Sequence, residues 1–139
     1  MNPPPAGAEE RVAVDGPFVL AHWARVCQRL GEVRSATEHA ERALDLVSAQ
    51  GTALRQAAVV NVVGLINLCR DAPERAMELH CHAYELVSRL GYRFETARAL
   101  HGMAEAAQAP GDEPTARQHW RAAQELYDAM GVTEVGRRL

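Results

Sequence analysis

The sequence predicts an all-α fold, a solenoid of three 40-residue helix-turn-helix repeats. Three observations predict it. Three segments end alike, Leu46-Val47-Ser48-Ala49-Gln50-Gly51, Leu86-Val87-Ser88-Arg89-Leu90-Gly91 and Leu126-Tyr127-Asp128-Ala129-Met130-Gly131, so glycines fall at 51, 91 and 131. The same step of 40 maps Ala36 onto Ala76 and Ala116, Ala43 onto Ala83 and Ala123, and Leu20 onto Val60 and Leu100, with no gap. Alanine is abundant and aromatics make up only 5% of the chain, which suits closely packed helices better than the Val, Thr, Tyr and Phe of sheets.

The repeat divides into elements. First helices are expected near 17–30, 54–69 and 94–108, and second helices near 33–49, 73–90 and 113–130. Small residues at Ala24/Ala36, Gly64/Ala76 and Ala104/Ala116 lie twelve apart in each copy, where two antiparallel helices touch and side chains must be short. Ala43/Leu46, Ala83/Leu86 and Ala123/Leu126 each share one face of a second helix. Pro17, Pro73 and Pro114 suit first-turn positions, where a missing N–H costs nothing. Ala109-Pro110-Gly111-Asp112 breaks the chain between helices. Gly51, Gly91 and Gly131 are expected in the left-handed conformation that ends a helix.

Residues 1–16, rich in Pro, Ala, Gly and acid, are expected as a flexible leader. The repeats then occupy 17–53, 54–93 and 94–133, and 134–139 is a truncated capping helix or tail. Val59-Val60-Asn61-Val62-Val63 has strand propensity in isolation, but the register places it on a helix.

Length and charge exclude several classes. The 139 residues suit one domain. The net charge is -3 and every basic residue is Arg, which disfavours a polyanion partner. Cys27, Cys69 and Cys81 form no disulfide framework, pointing to a reducing, cytoplasmic setting. The N-terminus lacks the pattern of a signal peptide. The apolar run from Ala57 to Cys69, interrupted by Asn61, Gly64 and Asn67, is too short for a bilayer.

The residues Ala24, Ala36, Ala43, then Gly64, Ala76, Ala83, then Ala104, Ala116, Ala123 resemble the tetratricopeptide consensus across nearly the whole chain. The repeat is 40 residues instead of 34. Cys27, Asn67 and Ala107 replace the aromatic late in the first helix, and Ser48, Ser88 and Asp128 replace the proline near the end of the second. The 40-residue form, with endings like Glu125-Leu126-Tyr127 before Met130-Gly131-Val132, looks like the C-terminal repeat region of bacterial transcription regulators of the SARP and large LuxR types. That resemblance implies a right-handed α-α superhelix serving as an interaction or sensor module in bacterial transcriptional regulation. It does not imply DNA binding, because no phosphate loop or winged-helix segment is present.

By the family register, a groove lined by the first helices takes Arg25, Gln28 and Arg29 from copy one. Copy two contributes Asn61, Leu65, Leu68 and Cys69, and copy three Arg98, His101, Glu105 and Gln108. The middle helix is apolar nearly all round, with Ala58, Val62, Leu65 and Cys69 as one stripe and Val59, Val63 and Ile66 as another. Such a helix is either a groove floor for an apolar peptide or a core element covered by its neighbours or a dimer mate. His80-Cys81-His82 invites a metal, but consecutive helical residues point about 100° apart and cannot converge on one ion. His80 shares its slot with Ala40 and Trp120, a packing position, and Trp23 and Trp120 read as core or end-cap anchors. Glu38/Glu41 and Glu74/Glu78 read as solvated faces, and no nucleophile elbow exists.

No cofactor and no catalytic constellation is expected. The functional expectation is a non-enzymatic module that binds a partner helix or peptide, or itself. The alternative is a receptor for a small molecule or signal peptide in an apolar concave groove. The apolar edge after Gly131 lacks a full capping helix, so a homodimer or a larger parent protein is expected.

Overall fold

The computed structural model describes residues 8–49 and 51–132, with side chains from 19 onward. All six helices expected from the register are present. They are α1 (Ala8–Arg29), α2 (Val33–Ala49), α3 (Ala53–Cys69), α4 (Pro73–Val87), α5 (Arg93–Gln108) and α6 (Glu113–Met130). A short 3-10 turn, Ser88–Leu90, extends α4. The described residues contain no strand. The valine-rich stretch is therefore helical, as the register requires.

α1 begins at Ala8, so residues 8–16 of the expected leader are helix. The remainder of that leader (1–7) and the 134–139 tail lie outside the described residues.

Each helix packs first on its sequence neighbour, giving the hairpins α1–α2, α3–α4 and α5–α6. α2 also touches α3, and α4 touches α5. The first helices meet along the array, α1 against α3 and α3 against α5. α3 is thus enclosed by α1, α2, α4 and α5, which explains its nearly all-apolar sequence. Val59, Val63 and Ile66 are fully buried there.

Burial follows the 40-residue step. Ala36, Ala76 and Ala116 are buried, as are Ala43, Ala83 and Ala123, and Val47, Val87 and Tyr127. Short side chains at the alanine slots bring the helices of each hairpin close together. One apolar cluster runs from Ala21 and Ala24 through α2 and α3 to Leu79 and Val87. A second, of Ala97, Leu100, Met103, Ala123 and Tyr127, lies between α5 and α6.

The helix ends show where the turn chemistry lies. Gly91 and Gly131 take the expected left-handed conformation, at φ 80° and 69°. Gly51 does not. A Cβ there would press at 3.0 Å on both Gln56 Cγ and Val47 Cγ2, so this glycine serves close approach instead of backbone handedness. The chain turns left-handed within each hairpin at Gly31, Asp71 and Gly111 (φ 81°, 58° and 93°). The same pair of bonds recurs at each. The 32, 72 and 112 N–H groups reach the carbonyls of Cys27, Asn67 and Ala107 at 2.8, 2.9 and 3.0 Å. The 31, 71 and 111 N–H groups reach those of Gln28, Leu68 and Gln108. This is a Schellman ending repeated every 40 residues. α3 and α6 start on side-chain caps, whereas Ala72 and Tyr92 give α4 and α5 none. Thr52 accepts from the Arg55 N–H at 3.3 Å, and Asp112 from that of Thr115 at 3.3 Å.

Candidate interaction face

The exposed and half-exposed positions of the first helices fall on stripes of helical spacing. On α5 nearly every residue from Glu95 to Ala107 is buried except Arg98, His101 and Glu105, with Gln108 beyond. On α3 the corresponding opening is confined to Leu65, Leu68 and Cys69. On α1 it holds Arg25 and Gln28, half-buried, and Arg29, exposed.

Several of these residues share one space. Arg25 donates to the Gln28 side chain, and its guanidinium lies 3.7 Å from Cys69 Sγ on α3. Glu105 on α5 pairs with His101 Nε2 at 3.0 Å. That hydrogen bond holds the Glu105 carboxyl below its ordinary range against the opposing effect of burial, and the positive charge of Arg25 adds to it. Arg25 of the first hairpin thus meets Cys69 of the second, and Glu105 of the third lies near enough to feel the Arg25 charge. Half-buried Leu65 and Leu68 lie on the same stripe of α3 as Cys69.

Other expected members are tied to their neighbours. Arg98 pairs with Glu95 at 3.4 Å and stands over the Phe94 ring, 5.9 Å from its centroid. His101 packs on Trp120 of α6 with the rings tilted at 48° and their centroids 4.4 Å apart, and meets Tyr127 edge-on at 6.3 Å. Asn61 is not a surface contact at all; it is buried.

Asn61 belongs to a polar network beneath the face. Its Nδ2 donates to the Glu95 carbonyl at 3.1 Å and to Glu95 Oε2 at 3.0 Å. Its Oδ1 lies 2.9 Å from His80 Nδ1. Because the amide nitrogen is committed to Glu95, Oδ1 is the acceptor and His80 Nδ1 carries the proton. Nε2 is then a bare acceptor, buried without a protein partner. Burial pushes the imidazole down to about 4, against the raising effect of Glu105 and with help from Arg98 and His101. His80 is neutral at physiological pH.

The His80 ring reaches from α4 into a space left by two glycines, Gly64 on α3 and Gly102 on α5. A Cβ on Gly64 would lie 2.5 Å from His80 Nε2, and one on Gly102 would lie 2.3 Å from Nε2 and 2.4 Å from both Cδ2 and Cε1. Sequence reasoning placed His80 correctly at a packing slot but missed what it packs into. The available signals were two glycines inside helices, which are unfavourable there without a packing reason, and one Asn in an apolar helix.

His82 is exposed whereas His80 is buried, so the His-Cys-His run does not converge. Among the described residues no group of three or more His, Cys, Asp or Glu side chains could hold a metal ion. Trp23, expected in the core or as a cap, is 55% exposed, and Trp120 is 36% exposed. Among the described residues no helix is long and apolar enough to cross a membrane.

Comparison of the chain with protein-family models, curated proteins and solved structures found no match.

Proposed function

We propose that this chain is a right-handed superhelix of three tetratricopeptide-like hairpins and acts as a non-catalytic protein-binding module. The observation that carries this reading is the face shared by Arg25, Cys69 and Glu105, one residue from each hairpin. A continuous face drawn from successive repeats suits recognition of an extended or helical segment. Leu65 and Leu68 offer the apolar contact, and Arg25, Arg29 and Arg98 flank it with positive charge. The complementary ligand is a partner helix or peptide with an apolar stripe and acidic neighbours. The likeness of the 40-residue repeat to the C-terminal regions of bacterial transcription regulators supports a cytoplasmic role in transcriptional regulation.

The test begins with affinity capture from the source cell and mass spectrometry. Binding of the captured segment is then measured by calorimetry against Leu65→Arg and the Arg25→Ala/Arg98→Ala pair. Each is expected to weaken binding at least about tenfold, the effect of losing 1.4 kcal/mol. Unchanged affinity in both would remove the face from consideration.

A further inference from the structure

Val19, Trp23, Val26 and Leu30 lie at i, i+4, i+7 and i+11 of α1, one stripe of a helix. They are exposed by 63%, 55%, 44% and 71%. Val33, at the start of α2, adds 52%. Among the described residues no other helix leaves so long an apolar stripe open. The repeat explains why it exists. The slots one step along are Val59, Val63 and Ile66, and two steps along Ala99, Met103 and Ala106; all six are buried. In those copies the preceding helices cover the stripe; α3, for one, packs on both α1 and α2.

The α1 stripe also exceeds what hairpin stacking uses. Where Leu30 stands, the other copies carry Arg70 and Pro110, both exposed; where Val33 stands, they carry Pro73 and Glu113. Where Trp23 stands they carry Val63 and Met103. A large exposed aromatic ringed by aliphatic side chains is the composition of an interface core.

We propose that this face pairs head to head with the same face of a second copy of the chain. The opposite end of the array supplies the argument for that geometry. The outer side of α6 presents Arg117, Gln118, Arg121 and Glu125 around an open depression. Head-to-tail stacking would bury these charges, including the Arg117–Glu113 pair at 3.7 Å, against an apolar stripe that offers them no partner, which is costly. A two-fold contact instead sets apolar against apolar, because the same patch serves on both copies. Antiparallel pairing of the two α1 helices places Trp23 of each opposite Val26 of the other, and Val19 opposite Leu30. Two such stripes together bury on the order of 1,000 Å², the lower bound for a specific interface.

The measurement is size-exclusion chromatography with light scattering on the full chain at tens of micromolar. The expected mass is twice the 15.2 kDa of one chain. Trp23→Glu with Leu30→Glu is expected to elute as a monomer with unchanged helical circular dichroism, since both side chains face solvent in the single chain. Arg117→Glu with Arg121→Glu is expected to remain dimeric. As an independent readout, Trp23 emission in a Trp120→Phe background is expected to shift to shorter wavelength as concentration rises. A monomeric wild type, a dimer that survives the α1 changes, or one dissociated by the α6 changes would each overturn the proposal. Trp23, Leu30, Arg117 and Arg121 are not residues of the candidate peptide-binding face, and the Trp120→Phe background serves only the emission readout, so the peptide-binding reading stands or falls separately.

Discussion

His80 Nε2 occupies the place where Gly64 would otherwise carry a side chain: a Cβ there would sit 2.5 Å away. Three helices meet at this point, α3 and α5 through their glycines and α4 through the imidazole. Helix propensity alone says that Gly64→Ala should stabilise α3 by about 1 kcal/mol. Overpacking a filled core says the reverse, by roughly 1–3 kcal/mol. The contact is with a buried ring fixed by Asn61 and not with a flexible tip, so overpacking wins. Gly64→Ala and Gly102→Ala are both expected to destabilise, measured by urea denaturation. The double variant Gly64→Ala/His80→Ala should recover part of the loss, a coupling that a double-mutant cycle reads directly. A stabilised Gly64→Ala protein would mean that the ring is not seated there.

Acid should loosen the same junction. Burial holds folded His80 at about 4, whereas the unfolded imidazole titrates at its ordinary 6.5. As pH falls through 6.5 the unfolded chain gains a proton that the folded chain refuses. This contribution to stability is therefore whole above 6.5 and is lost progressively down to about 4. The loss runs near 1.4 kcal/mol per pH unit and totals on the order of 3 kcal/mol. Glu105, whose folded carboxyl is lowered, loses its own contribution only below the ordinary carboxylate value of 4.5, so His80 governs the upper part of the window. His80→Gln, which keeps a donor for Asn61 Oδ1, should flatten the stability–pH curve there. A wild-type curve already flat in that range would contradict a neutral, buried His80.

Much of this architecture was legible because the small slots repeat. Ala36, Ala76 and Ala116 announce close helix contacts whatever surrounds them, and the structure buries all three. The glycine at 51 misled because one residue type answers two needs. It matches Gly91 and Gly131 in sequence but is required for proximity to Val47 and Gln56, not for φ. A second left-handed series, at 31, 71 and 111, was hidden because its middle member is Asp71. Asn61 sat in the groove register, yet periodicity cannot tell a floor residue from a buried one when the whole helix is enclosed. Trp23 reads as a core or end-cap anchor, and its slot is core in the other two copies; among the described residues no earlier hairpin packs on α1 to bury it.

The Asn61 amide is expected to be the most sensitive polar group in the chain. It joins α3 to α4 through His80 and to α5 through Glu95. Asn61→Ala leaves the His80 Nδ1 proton and a buried Glu95 oxygen short of a partner, which costs roughly 2–4 kcal/mol. Asn67, also buried, donates its side-chain amide to the Val63 carbonyl of its own helix at 2.9 Å, so Asn67→Ala should cost less, about 1 kcal/mol. Breaking the exposed Arg75–Glu78 pair (3.2 Å) should change stability by well under 1 kcal/mol. Chemical denaturation of the three variants ranks them. An Asn61→Ala protein no weaker than Asn67→Ala would show that the network contributes little.

Asp71 offers a test in the opposite direction. It is the one described non-glycine residue with positive φ, at 58°, in a slot held by Gly31 and Gly111 in the other hairpins. The left-handed region costs an L-residue about 1–2 kcal/mol, somewhat less for Asp because its short side chain tolerates that region. Glycine removes this strain but adds freedom to the unfolded chain, which offsets part of the gain. The balance predicts that Asp71→Gly stabilises by about 0.5–1 kcal/mol, a few degrees in Tm for a chain of this size. The reverse changes, Gly31→Ala and Gly111→Ala, meet no atom within 4 Å of the new Cβ, so any loss reports backbone strain alone, expected near 1 kcal/mol. A thermal melt in which Asp71→Gly and Gly111→Ala shift the same way would mean that the three turns do not share one conformation.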